Sequence, residues 1–312
     1  MNKMTNKRFT GISQNFRIYR QDNDEEVTNL LGNLSNISYS VQLDNELRED
    51  INESPTLREA VDGAAEIYVS IDCEPVSLKA TQLVGEYTED TNAGTWEVEL
   101  TDHLPEFYAE IQVTNDKTLV IEGIKFNGFT LSVQMDGVVE ATFNDGTNGN
   151  ALKVELEDRE LEFDEDVDKP ESYLDVTGLI DNQTIGSAES ITVEYSRNVQ
   201  SRRGIQDYEP GERRLPDEIT EGNKTFSWDA TIQVTDDQAF KTLFNSESYP
   251  LTISDYSSKT SFTAQLSEEK GSIELTGGKP TDLGGQLVND DDIRTIDLSG
   301  NGRIATITGE LQ

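Results

Sequence analysis

The chain has 312 residues but only one cysteine, Cys73, and one histidine, His103. A single cysteine excludes a disulfide within the chain. Without a second histidine or a cysteine partner, the sequence also excludes a zinc site and Cys/His nucleophilic catalysis. We expect Cys73, which ends a predicted strand, to be a small packed residue. We expect His103 to be an exposed loop residue.

Long apolar runs are missing as well. None approaches the ~20 residues that span a bilayer. No N-terminal segment combines a basic start with an apolar run of roughly 7–15 residues, as a signal peptide would. The sequence therefore predicts no membrane partner, synthesis in the cytoplasm, and a protein that is soluble or assembles from a soluble pool.

Catalytic motifs are also absent. The sequence contains no Walker A motif, no G-x-G-x-x-G after a strand, and neither G-x-S-x-G nor H-E-x-x-H. Carboxylate pairs arise by chance among 61 acidic residues, and none stands out as a glycosidase pair. Acidic clusters at 22–26, 164–168 and 290–292 lack EF-hand spacing and are more typical of solvated loops than of the alternative, calcium sites. We predict a protein that is not an enzyme and has no cofactor or metal.

Basic residues are scarce, with 25 Lys and Arg against 61 Asp and Glu, so the net charge is −36. Such a chain repels nucleic acid and anionic membranes at low salt. It also repels itself, and salt should favour its folding because the Debye length falls to ~3 Å at 1 M. An acidic surface kept for solubility is one interpretation. Because the acid excess runs along the whole chain, we favour a halophilic protein.

What the sequence does contain is period-2 alternation of apolar and polar residues, clear at 96–100, 130–135, 191–195 and 226–234. Strands with one buried and one solvated face are typical of antiparallel sheets. Helical patterns are sparse, and the best two predict short helices at residues 76–84 and 236–244. The sequence thus predicts an all-β fold with little helix.

The two halves of the chain carry the same order of elements: a strand, a long polar loop, a second strand and a short helix. Landmarks recur at offsets of 155, 159 and 153 residues, namely Ser35 to Ser190, Gly63 to Gly222 and Gly149 to Gly302. We predict two tandem domains at 1–165 and 173–312, joined by an acidic linker at 166–172. The first would begin with a segment at 1–33 that forms a strand or an arm.

An arginine-rich stretch at 197–222 stands out in a chain poor in cations. It predicts a loop of about 25 residues, and loops beyond ~12–15 residues are usually functional or disordered. It is either a solvated loop that neutralises nearby acids or a subunit contact, since arginine suits interface ion pairs with carboxylates. The net charge disfavours DNA binding. The candidate interface residues are Arg197, Arg202, Arg203, Arg213, Arg214, Pro216 and Gly222, with Arg48, Pro55, Arg58 and Gly63 as first-half counterparts.

The second half resembles the tail tube (major tail) proteins of long-tailed phages and archaeal viruses. The resemblance rests on the strand at 190–196, the arginine-rich loop, and the strand at 226–234 with a helix after it. In that family an element P-x-x-I-x-x-G opens the second long strand, and Pro216, Ile219 and Gly222 occupy it here. In the first half only its glycine, Gly63, is clearly matched. The resemblance covers most of the second half and the core of the first.

The resemblance implies two β-sandwich or barrel domains, each with one short flanking α-helix. Single-domain members form hexameric rings that stack into a tube, so a duplicated chain implies trimeric rings with pseudo-sixfold symmetry. An acidic inner wall would let double-stranded DNA pass without tight binding. The loops at 197–222 and 44–63 would reach neighbouring rings or subunits.

The implied partners are further copies of the chain and other tail proteins at the tube ends, and the implied location is the tail of a virion, with a haloarchaeal tailed virus as the source. Two alternatives remain open at this stage. One is another β-rich virion protein, such as a tail terminator, a baseplate hub or a capsid decoration protein. The other is a carbohydrate-binding β protein, which the missing signal peptide and the lack of an aromatic platform disfavour.

Overall fold

Alternation of apolar and polar residues produces strands along the whole described chain. The computed structural model describes residues 15–48, 59–134, 138–144, 149–161, 177–180, 183–202, 215–234, 241, 262–267, 271–276, 279–287, 294–302 and 304–311. The predicted linker at 166–172 and the acidic clusters at 164–168 and 290–292 lie outside these residues. Strands dominate the described part, so the predicted all-β class is confirmed.

Ten strands come from the first half of the chain. They are β1 (Phe16–Arg20), β2 (Asn33–Arg48), β3 (Glu59–Glu74), β4 (Glu86–Asp90), β5 (Thr95–Glu99), β6 (Phe107–Thr114), β7 (Lys117–Ile124), β8 (Gly128–Gln134), β9 (Glu140–Phe143) and β10 (Lys153–Glu157). Because β1 pairs antiparallel with β6, residues 16–20 belong to a sheet, which differs from the arm interpretation of this segment.

Eight described strands come from the second half. They are β11 (Thr177–Ile180), β12 (Gln183–Arg202), β13 (Glu218–Val234), β14 (Phe262–Ser267), β15 (Gly271–Thr276), β16 (Lys279–Leu287), β17 (Arg294–Gly302) and β18 (Ile304–Glu310). β12 and β13 are far longer than the strands predicted there, since the arginine-rich stretch continues both of them. Only residues 203–214 of that stretch lie outside the described chain.

All strand pairs among the described residues are antiparallel. One four-stranded sheet has the order β1-β6-β7-β10. A second sheet runs through both halves, because β8 pairs with β12 and β5 pairs with β18. The two halves are therefore joined by two β ladders, so strands of both halves belong to the same sheet.

The first predicted helix is present in a tighter form. Residues Leu78–Leu83 form a 3-10 helix, η2, whose N-cap Ser77 accepts a hydrogen bond from the backbone N–H of Lys79. Val84 N donates to the carbonyl of Thr81, three residues back, as 3-10 geometry requires. Six residues are too few to offset the cost of nucleating an α-helix. A shorter 3-10 helix, η1, spans Thr28–Leu31.

The second predicted helix, at 236–244, falls outside the described residues except for Lys241, which is helical. The core is continuous across the two halves. Its largest fully buried side chains include Trp96, Trp228, Tyr195 and Phe143. Cys73 faces this core, as predicted, and burial raises the pKa of its thiol to about 12, with Asp72 and Glu74 adding to the shift.

Candidate assembly surfaces

The strand order of the first half recurs in the second. The order β1-β6-β7-β10 has its counterpart in β11-β14-β15-β18, and β2-β3-β9-β8 has its counterpart in β12-β13-β17-β16. The hairpin β4–β5 belongs to the first half and pairs with the second-half strand β18. At the joint between the halves, the last strand of one four-strand order, β8, pairs with the first strand of the next, β12.

Irregularities in the ladders recur at matching places. The ladder β2–β3 has two register shifts, and the ladder β12–β13 has two at the same spacing. They fall at Leu34/Asn36 and Leu43/Asn45 in the first ladder, and at Ala188/Ser190 and Arg197/Val199 in the second. Asn36 thus corresponds to Ser190, an offset of 154 residues, one fewer than the sequence landmark indicated. On the partner strand Gly63 corresponds to Gly222, at the offset of 159 that the sequence indicated.

The glycine at this second shift has a steric reason. Gly222 lies where β13 passes Asn198 of β12, and a Cβ on it would stand 2.7 Å from the Asn198 carbonyl oxygen. No residue with a side chain fits there without moving backbone. The glycine of the P-x-x-I-x-x-G element therefore marks a bulge, while Ile219 and Pro216 are buried beside it.

The orders β2-β3-β9-β8 and β12-β13-β17-β16 form one continuous eight-stranded sheet, and the described side chains on one side of it form a polar face. Apart from glycines, the described side chains that point away from the core between the bulges are Ser, Thr, Asn and Gln, together with Tyr68 and six carboxylates. No lysine or arginine is among them. The carboxylates are Glu66, Asp72, Glu140, Glu194, Asp229 and Asp297.

Hydroxyl groups hold several of these carboxylates. Thr142 Oγ1 donates to Asp72 at 2.8 Å, and Thr231 Oγ1 donates to Asp297 at 2.9 Å. Thr231 corresponds to Asp72, and Asp297 corresponds to Thr142. The same Thr/Asp pair across two strands therefore occurs in both halves, with the threonine and the aspartate on opposite strands. The face is thereby anionic and internally hydrogen-bonded, and its described side chains between the bulges offer phosphate groups no cation.

The joint between the halves contains a buried ionic cluster around Arg197, which is only 6% exposed. Its guanidinium donates to the carbonyl oxygens of Gly222 and Thr101 at 3.1 Å each and also to that of Asp102. It lies 3.4 Å from a carboxylate oxygen of Glu221. Arg197 therefore ties β12 to the first-half loop that follows β5.

Glu221 is the hub of the same cluster. Its Oε1 accepts hydrogen bonds from Lys125 Nζ at 2.9 Å and from the backbone N–H of Leu104 at 3.1 Å. Burial acts to lower the pKa of Lys125, but Glu221 and Glu106 outweigh it, and the pKa is raised. Sequence reasoning missed Glu221 and Lys125, since nothing local in the sequence brings these two residues together.

A second contact of the joint is made by Trp96 on β5. Its indole Nε1 donates to the carbonyl oxygen of Glu310 at 3.1 Å. Two glycines of the second half make room for the ring, because a Cβ on Gly309 would lie 2.4 Å from it and one on Gly271 2.7 Å. Gly271 also has φ +107°, which a side chain would strain.

The remaining predicted interface residues are placed as follows. Arg202 is exposed at the end of β12 and pairs in register with Glu218, while Arg48 pairs with Glu59 at the end of β2. Five others lie outside the described residues, namely Arg203, Arg213, Arg214, Pro55 and Arg58. His103 is almost fully exposed, as expected, 3.9 Å from Glu221.

Other kinds of site receive no support from the described residues. They contain no group of three or more His, Cys, Asp or Glu side chains that could hold a metal ion. No helix among them is both long and apolar enough to span a membrane. In comparisons with known proteins, no family model matches the chain and no curated protein shows significant similarity to it.

Proposed function

We propose that this chain is a structural subunit that closes into rings, and that the rings stack into the tube of a viral tail through which double-stranded DNA passes. The observation that carries this proposal is the eight-stranded sheet with its polar face, which crosses both halves and ends in two edges that have no strand partner among the described residues. A wall of this kind needs a continuous sheet, a water-wetted inner surface and open edges for further copies.

The two halves are copies of one domain. The matching strand orders and the paired register shifts support this, as does the exchanged Thr/Asp pair. The joint β8–β12 is then a contact between copies that happens to lie within one chain. A ring closes when the same contact is repeated between chains, because a heterologous contact generates a ring if its rotation closes.

The width of the ring favours three chains. Eight strands from each of three chains give twenty-four, and at ~4.8 Å per strand they make a circumference of about 115 Å and a diameter of about 37 Å before strand tilt widens it. Side chains take roughly 5 Å from each wall, half of the ~10 Å spacing of packed sheets. The bore still exceeds the width of duplex DNA. Two chains would leave about 14 Å by the same estimate, which is too narrow.

The charge of the polar face suits a conduit. DNA carries one phosphate charge per ~1.7 Å of helix axis, so an anionic wall repels it along its whole length. Serine and threonine hydroxyls keep the wall hydrated and supply no cation that would hold a phosphate. The absence of basic residues among the described side chains of this face thus supports passage in preference to storage or binding of DNA.

Electron microscopy of the purified full chain in molar KCl tests the proposal. The expected result is rings with three chains and pseudo-sixfold symmetry, stacked into tubes. Discrete monomers at every salt concentration would overturn it.

A charge reversal tests the role of the face. Tubes of Glu194→Lys/Asp229→Lys should retain fluorescent duplex DNA, and native tubes should not. The matched control is Glu97→Lys/Glu99→Lys, which adds the same charge on exposed positions of β5, off the polar face. Equal retention by both variants would contradict the assignment of the face to the bore.

A further inference from the structure

Two strand edges in the polar-face sheet carry no partner among the described residues. β2 pairs only with β3, and β16 pairs only with β17. β2 also exposes three large apolar side chains in a row, Tyr39 at 45%, Val41 at 40% and Leu43 at 45%. We call these three residues the β2 ridge. An exposed apolar strand edge is a site for strand addition.

The corresponding strand of the second half shows how such a ridge is covered. At an offset of 154 residues the ridge positions become Val193, Tyr195 and Arg197, which are all buried. They are buried because β8 lies against β12, with Phe129 opposite Tyr195 and their ring centroids 5.7 Å apart. The joint within the chain is therefore a template for what β2 lacks.

We infer that β16 of a second copy of this chain adds antiparallel to β2, in the register that β8 keeps against β12. The inference rests on the proposed function and deepens it by naming the contact. β8 and β16 correspond at an offset of 154, through Phe129 and Leu283. Transferring the observed pairs puts Val41 opposite Leu283 of the second copy and Ser40 opposite its Gly284.

A second edge of the first half supports the same neighbour. β10 pairs only with β7 among the described residues, and its Leu156 is 60% exposed. The corresponding strand β18 carries buried Ile307 in that position, covered by Val98 of the first-half strand β5. In the second half, the strands that correspond to β2 and β10 are β12 and β18, and both are covered by first-half strands, β8 and β5. A single neighbouring chain in the equivalent position would therefore cover both β2 and β10.

The contact between copies differs in chemistry from its template. Leu43 stands at the position of Arg197, and Asp62 stands at the register position of Glu221. The ionic cluster of the joint within the chain is replaced by an apolar seam between chains. Salt weakens ion pairs at exposed edges, but it also screens the repulsion between acidic copies, so a seam without ion pairs should tighten as KCl rises.

Cysteine cross-linking tests the register in the full chain. The variant Ser40→Cys/Gly284→Cys, oxidised in molar KCl, should give reducible covalent dimers and trimers on denaturing gels. The buried native Cys73 stays in place. The control Gln42→Cys/Gln286→Cys uses the same two strands four residues out of register, about 13 Å apart, beyond disulfide reach. A second control, Thr130→Cys/Glu194→Cys, places the pair at the observed joint and should cross-link within the chain.

The outcomes separate this inference from the proposed function. Cross-linked trimers without tubes would support the contact and count against the tail tube. Tubes without cross-linking, when the Thr130/Glu194 control does cross-link, would overturn the register and leave the tube intact. Cross-linking of the out-of-register control at an equal yield would also overturn it.

A substitution in the β2 ridge gives an independent readout. Val41→Glu should raise the concentration at half-association at least tenfold in analytical ultracentrifugation. Ser40→Glu, on the polar face of the same strand, should change it less than threefold. Because Val41 is already exposed in the single chain, both variants should unfold at the native urea midpoint. Equal effects of the two variants on association would contradict the seam.

Discussion

Replacing Arg197 by leucine, the residue at the corresponding first-half position, should weaken the contact between the two halves. The change removes a guanidinium that is 6% exposed and that donates to three carbonyl oxygens as well as facing Glu221. Breaking a buried ion pair costs roughly 3–5 kcal/mol. Because Lys125 still pairs with Glu221 at 2.9 Å, we expect the low end, about 3 kcal/mol of unfolding free energy.

Urea unfolding at fixed molar KCl measures this loss, with tryptophan fluorescence as the signal. Trp96 and Trp228 are both buried, and Trp96 lies across the joint, so it should report separation of the halves before Trp228 reports the loss of β13. The matched control is Arg202→Leu, an exposed arginine on the same strand, for which we expect less than about 0.5 kcal/mol.

A double substitution sharpens the reasoning. Arg197→Leu leaves the Glu221 carboxylate buried with one cation fewer beside it. Adding Glu221→Gln removes that negative charge, so the double variant should recover part of the stability lost in Arg197→Leu alone. A loss below about 1 kcal/mol for Arg197→Leu, or one no larger than for Arg202→Leu, would refute the view that this cluster holds the halves together.

Three further predictions concern single features. Gly309→Ala should destabilise the native chain, but it should cost little further stability in a Trp96→Ala background, where the ring that the new Cβ would meet is gone. Urea unfolding of the native chain, the two single variants and the double variant measures the coupling energy between the two positions. A coupling energy near zero would contradict the view that Gly309 makes room for the Trp96 ring. Deleting residues 203–214 should leave β12 and β13 paired, with native circular dichroism, and abolish tubes in electron micrographs; tubes of normal length contradict an interface role. The Cys73 thiol, with its pKa raised to about 12 from 9.0, should make the free energy of unfolding fall as pH rises from about 9 to 12, since only the unfolded chain releases the proton there; urea midpoints should lose this component in Cys73→Ala.

Much of the architecture is accessible from the sequence because one face of each strand is buried. Alternation at 191–195 and 226–234 identifies β12 and β13, and it works there because the register is unbroken from Ser190 to Arg197. The recurrence of elements in the two halves is also detectable, since backbone crowding requires a glycine at Gly222 and Gly63 stands at the corresponding register position. Its offsets differ from strand to strand, and this is why landmark residues agree only to within one or two positions.

The long loop predicted for the arginine-rich stretch is wrong at residues 197–202 and 218–222, which belong to β12 and β13, and the reason is physical. The bulge opposite Asn198 lies at Gly222 on β13 and shifts the phase of alternation on that strand, so Ile219 is out of phase with the buried positions from Phe226 onward, whereas β12 alternates without interruption through Val199. Arg197 occupies an inward position where an apolar residue is expected, and its partners come from positions 101, 102, 221 and 222. Local pattern cannot anticipate a buried charge whose hydrogen-bond acceptors lie 25 to 96 residues away along the chain.

The response to salt should distinguish the two kinds of contact in this protein. A net charge of −36 disfavours both folding and association at low salt, and screening at molar concentrations should raise the melting temperature and the fraction of assembled chain. The ionic cluster at Arg197 is buried and therefore weakly screened, whereas contact at the apolar β2 ridge brings two acidic chains together against a repulsion that KCl screens. Association should therefore increase more steeply with KCl than stability does, and sedimentation and thermal melts over the same salt series measure both. A melting temperature that falls with salt would contradict the halophilic interpretation, and an association that weakens with salt would contradict the apolar seam.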